Sequence, residues 1–145
     1  MYEALGAIGD KRIEVSGNEA KVYSSSRGKY YDVKYDPDKN AITTNDNASY
    51  WVGYLGYPAV VFLLAKGIVK YKKESAAALR GIHWKDLNTK FKNDFEKAVK
   101  YILADLEKQG VDIEGLQADV KSIHEQVLAL KLEKLGTTAK PPPGY

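Results

Sequence analysis

Cysteine is absent from the sequence, which removes disulfides, thiolate metal sites and cysteine nucleophiles together. A chain without cysteine suits a reducing compartment, so the expected location is cytoplasmic. Histidine is scarce: only His83 and His124 are present. His124-Glu125 begins like a zinc-protease helix, but the second histidine would fall at Leu128. His83 has Trp84, Lys85 and Asp86 beside it in sequence, and no base partner can be placed for it. Arginine is outnumbered three to nineteen by lysine, which suits a diffuse electrostatic surface better than bidentate recognition. Phosphate loops are missing too, because no Gly-Lys-Ser/Thr follows Gly53 and Gly56. The opening MYEALGAIGD has neither a basic region nor a continuous apolar one, so a signal peptide is not expected there. These absences leave no catalytic residue, metal ligand or cofactor-binding residue to nominate.

What is present starts with Ser49–Ala65, seventeen residues without a formal charge in a chain that is 28% charged. Apolar side chains leave water at roughly 0.8 kcal/mol per methylene, so the rest of the chain must cover this stretch. Pro58 fits the first turn of a helix running to Lys66, with Gly67 as its stop, and Ser49–Leu55 reads as a turn or short helix. Trp51–Val69 has only Lys66 charged and is long enough to span a bilayer. Gly53, Gly56 and Pro58 interrupt its first half, and the amphipathic helices around it would then lack a partner. A membrane is therefore not the expected partner.

Two hairpins precede this stretch. Gly17-Asn18 is a two-residue turn that sets Ser16 opposite Glu19, Val15 opposite Ala20, Glu14 opposite Lys21 and Ile13 opposite Val22. That register predicts Ile13, Val15, Ala20 and Val22 on a buried face, with Glu14 and Lys21 on the other. Ser24–Gly28 is a loop by composition. Tyr31, Val33 and Tyr35 alternate with polar partners, and Pro37-Asp38-Lys39-Asn40 sets Tyr35 against Ile42 and Val33 against Thr44. Asp36–Asn40 also resembles the start of a calcium loop. However, Ala41 stands where glycine is needed and Asn47 where a bidentate glutamate belongs, so a turn is preferred.

Helices follow. Glu74–Arg80 is alanine-rich and ends at Gly81, while Ile68–Lys73 is ambiguous. Trp84, Leu87, Phe91, Phe95, Ala98, Val99, Ile102 and Leu106 recur at spacings of three and four, predicting one helix from His83 to about Gln109. Asp112 can cap a second, whose Ile113, Leu116, Val120, Ile123, Val127 and Leu130 form an a/d seam. The short link at Gly110 favours an antiparallel pair.

The expected fold is α+β: a small antiparallel sheet of two hairpins, then a helical half with a buried apolar helix and two long antiparallel amphipathic helices. One domain is expected over residues 1–136, β-rich at 11–44 and helical at 49–136, with a flexible proline-rich tail at 137–145. Pro142-Pro143-Gly144-Tyr145 matches a short ligand of aromatic-lined grooves, but such tails are commonly just frayed. Residues 49–82 carry five basic side chains and one acidic. Lys66, Lys70, Lys72, Lys73, Arg80 and Lys85 are therefore the candidates for nucleic-acid binding, with tyrosines such as Tyr23 and Tyr30 beside Lys34 as stacking platforms. Charge runs are more often solvated faces. The expected function is a non-catalytic binding or assembly module that self-associates through helical apolar stripes. Nucleic-acid binding is the alternative, and a small enzyme whose site the sequence hides is the third.

Overall fold

The computed structural model describes residues 1–45 and 55–134, the side chain of Lys134 excepted. Its elements run α1 (Tyr2–Gly9), β1 (Ile13–Ser16), β2 (Glu19–Tyr23), β3 (Tyr30–Asp36), β4 (Ala41–Thr44), α2 (Tyr57–Ala65), α3 (Lys73–Ala78), α4 (Trp84–Lys90), α5 (Phe95–Lys108), α6 (Ile113–Leu130) and β5 (Glu133–Lys134). The fold is α+β. Four antiparallel strands form two hairpins, and β5 adds a short parallel pairing on β4, in the order β1-β2-β3-β4-β5.

Both hairpin registers are those expected from the turns. Gly17 alone takes a positive φ (+61°) in the first turn, the pattern of a type II′ connection. In the second, Asp36 Oδ1 accepts from the Asp38 and Lys39 N–H groups (3.0 and 3.2 Å), and Asn40 takes the left-handed conformation at φ +50°. The carboxylate that resembled a calcium ligand is thus engaged in closing the turn.

α2 lies on one face of the sheet and is buried along its whole apolar run, Pro58 to Leu64. Phe62 meets Tyr35 at 5.6 Å between ring centroids, and Tyr57 meets Tyr31 edge-on at 6.1 Å. Lys66 caps α2, and Gly67 (φ +74°) turns the chain away, as expected. The other side of α2 is covered by α1, which also packs on α3. That contact is close: a Cβ on Gly9 would collide with the Ala76 carbonyl oxygen.

Ile68–Lys72 is an extended strap over α6. Gln126 brackets Lys70 with both halves of its amide, its Oε1 accepting from Lys70 N–H (2.8 Å) and its Nε2 donating to Lys70 O (3.0 Å). Buried Asp119 accepts from Lys72 N–H at 3.0 Å. The far end of α6 is tied to the second hairpin, where Asn40 Nδ2 donates to Leu130 O (2.7 Å) and Glu133 N–H donates to Asn40 O (2.9 Å).

Three expectations need correction. The helix read from His83 to Gln109 is broken at Phe91–Asp94 into α4 and α5. Lys92 and Asn93 have positive φ (+52° and +64°), and Asp94 starts α5 by accepting from Lys97 N–H at 3.3 Å. The polar triplet Lys92-Asn93-Asp94 thus supplies a stop and a cap, while the apolar spacing runs on across it. Val15, expected to be buried, is 43% exposed, because it sits on the edge strand. α1 was not anticipated at all. The turn or helix read over Ser49–Leu55 falls mainly, and the tail at 137–145 wholly, outside the described residues.

Gly9→Ala should destabilise by more than ~1 kcal/mol in urea unfolding, although alanine is the better helix former. Leu128→Ala, at a side chain 62% exposed, should change stability by less than ~0.5 kcal/mol. The reverse order would mean that α1 does not rest on α3.

Candidate functional site

Two clusters of polar side chains stand out. The first is internal and centres on Arg12, only 1% exposed. Lys11 (φ +57°) turns the chain from α1 into β1 and aims the guanidinium inward. Arg12 Nη1 donates to Tyr23 O (2.9 Å), and Nε lies 3.5 Å from Asp10 Oδ2. Among the described residues, Nε and Nη2 have no hydrogen-bond partner. Asp10 reaches further: its Oδ1 accepts from Gly81 N–H (2.7 Å) and its carbonyl accepts from Arg27 Nη2 (3.0 Å). The end of α1, strand β2, the 24–28 loop and the α3–α4 turn are thereby joined. Glu3, on the first turn of α1, feels the same cluster. Burial pushes its carboxyl up to about 7, with the Arg12 guanidinium and the chain's amino terminus pulling it partly back.

The second cluster lines an open groove of about 450 Å³ between the α3–α4 turn, α4 and α5. Ile82, Leu87, Ile102 and Leu106 line it with apolar surface. Tyr101 is half exposed on its wall, with Lys90 Nζ 4.3 Å from the ring centroid. Asp105 accepts from Gln109 Nε2 at 2.8 Å. The side chains of Arg80, His83 and Asp86 also line the groove, and among the described residues none of them makes a hydrogen bond or ion pair. Behind this region Trp84 is fully buried and stacks on Phe95 at 6.3 Å.

The six basic residues nominated from the sequence are all exposed, in three different settings. Lys66, Lys70, Lys72 and Lys73 follow the end of α2, the strap along α6 and the start of α3. Arg80 lines the groove. Lys85 stands on the first turn of α4, where its N–H donates to Ser25 Oγ (3.1 Å). Lys29 is near it: burial, and then the Lys85 charge, holds the Lys29 ammonium below its ordinary range. His124 is exposed on α6. No described helix is long and apolar enough to cross a membrane, and no three described acidic or histidine side chains converge as a metal site requires.

Sequence reading missed Arg12, Glu3 and Asp10, and it did not gather the groove. Arg12 shares its strand parity with Glu14, so alternation assigns it to solvent. Only the loop and turn folded over it make it internal.

The architecture is thus an α+β protein with a sheet-backed central helix and a helical groove at one side. Over residues 1–133 the chain matches the family described as uncharacterised conserved protein UCP014422, and it belongs to that family. No curated protein and no solved structure matches it.

Because the Glu3 carboxyl is raised in the folded state, its contribution to stability is full below the unfolded value of about 4.5 and is lost as pH rises through about 7. Glu3→Gln should therefore match the wild type near pH 4.5 and exceed it at pH 8 by of order 2 kcal/mol in denaturant melts. A parallel pH dependence in the two proteins would show that Glu3 is not the titrating group.

Proposed function

We propose that this protein is a binding module whose ligand seat is the groove between the α3–α4 turn, α4 and α5. The observation that carries the reading is the pairing of an apolar lining with polar side chains, those of Arg80, His83 and Asp86, that make no hydrogen bond or ion pair among the described residues. Ligand sites of this size are mostly apolar, with a few polar groups that fix orientation. An apolar body placed against Ile82, Leu87 and the half-exposed Tyr101 gains roughly 25 cal/mol per Å² removed from water, and a charged head is then held at the rim. Since the rim carries both signs, the ligand class is an amphipathic molecule with an apolar body and an ionic head.

The test is an amide NMR titration against a library of aromatic carboxylates and aromatic amines. Binders should shift residues 80–90 and 101–109 together. Arg80→Gln should weaken the carboxylates about tenfold, the size of one charged contact, and Asp86→Asn the amines. A library without binders, or with shifts confined to the sheet, would contradict the reading.

A second reading, nucleic-acid binding, is supported by one surface. Tyr30 is 42% exposed and pairs with Tyr23 at 5.9 Å, with Lys21 Nζ 4.9 Å from its ring. Arg27, Lys29 and Lys85 lie around the adjoining loop. Exposed rings among cations are what single strands use for stacking and phosphate contact. Retention on single-stranded DNA at about 50 mM salt should fall sharply in Tyr30→Ala and Lys85→Glu, and less in Lys70→Glu. No retention of the wild type would sink this reading.

A further inference from the structure

β1 is an open edge. Among the described residues no strand pairs with its outer side, whereas β4 is met by β5 at the opposite end of the sheet. The ladder decides which backbone groups face outward. Tyr23 N–H donates to Arg12 O at 2.8 Å, which makes Arg12–Tyr23 a hydrogen-bonded pair. Alternation then makes Glu14–Lys21 and Ser16–Glu19 the next ones. The N–H and C=O of Ile13 and Val15 therefore point away from β2.

Val15 adds a second signal. It shares the core-facing side with Ala20 and Val22, both buried, yet stands 43% exposed. An apolar side chain and unpaired backbone groups meet on a strand with neither proline nor lysine, the residues that usually blunt an edge.

We propose that β1 pairs antiparallel with β1 of a second copy across a two-fold axis, with Val15 opposite its counterpart. One register satisfies face, charge and backbone together. With Val15 on the axis, the two Val15 N–H groups donate to each other's carbonyls, and the two side chains cover each other on the core-facing side. Glu14 then stands opposite Ser16 of the other copy and keeps Lys21 as its own cross-strand neighbour. Moving the axis to Glu14 would set two carboxylates face to face, and a one-residue slip would set Val15 opposite Glu14, whose own N–H and C=O point to β2 and cannot accept the pairing. A strand of unrelated sequence has no reason to meet these conditions, whereas a copy meets them by symmetry. The pairing would join the two five-stranded sheets into one and does not depend on the groove.

Light scattering over a concentration series reads the result as mass. The wild type should approach double the 16.1 kDa chain mass, and Val15→Lys should stay at the chain mass. Val15→Pro removes an N–H that only the pairing uses, so it too should be monomeric while keeping the wild-type circular dichroism. If Val15→Pro loses that signal, Val15→Lys decides. With no native cysteine, Glu14→Cys combined with Ser16→Cys should form disulfide-linked dimers under mild oxidant. In this register Glu14 and the other copy's Ser16 are a non-hydrogen-bonded pair, whose Cα atoms about 4.5 Å apart lie within disulfide reach. A wild type that is monomeric at every concentration overturns the proposal and leaves the edge to a strand from another protein. A dimer indifferent to both Val15→Lys and Val15→Pro overturns it as well.

Discussion

The structure depends on one constraint: α2 has no face for water. From Pro58 to Leu64 every residue is buried, so a single covering layer would leave half of the helix exposed. The sheet supplies one cover. α1 supplies the other, and its far side lies close against α3 and the start of α4 because Gly6 and Gly9 carry no side chain towards Trp84 and Ala76. The hairpins, α1 and α3 are therefore not independent units leaning on a helix. The hairpins and α1 form the walls that make the helix possible, with α3 backing α1 from outside, and each wall is apolar where it meets α2.

Apolar packing does not by itself fix the angle between α1 and the sheet. The Asp10–Arg12 cluster does, because its partners come from four separate parts of the chain: Tyr23, Arg27, Gly81 and α1 itself. A buried guanidinium is costly to desolvate, and one left partly unpaired is costlier still. Such a group contributes specificity of arrangement more than net stability. Glu3 adds a carboxyl that burial raises to about 7, on the same helix that closes over α2.

Much of this was legible where the determinants are local. The hairpin registers follow from turn residues and two-residue alternation, which agree position by position. The ends of α2 follow from Pro58 and Gly67, and the start of α6 from Asp112, which accepts from Gly115 N–H at 3.1 Å. The rest was hidden for physical reasons. α1 is short and rich in alanine and glycine, so it has no stripe to betray it. At Phe91 the apolar period and the capping signal compete, and the chain breaks where Lys92 and Asn93 take the left-handed conformation and Asp94 caps α5. The groove draws on residues from Ala78 to Gln109, gathered by tertiary packing, and no spacing in the sequence encodes that.

If α2 is the centre, stability should be graded outward from it. α5 touches the rest mainly through α4 and α6, and its outer side chains Phe95 and Tyr101 are about half exposed. Native-state hydrogen exchange at low denaturant reads this directly. The account predicts that amides of α2, α1 and the β2–β3 pair exchange only through global unfolding, while α5 opens at lower free energy. Exchange of α2 by local opening, or protection of α5 above that of α1, would contradict it.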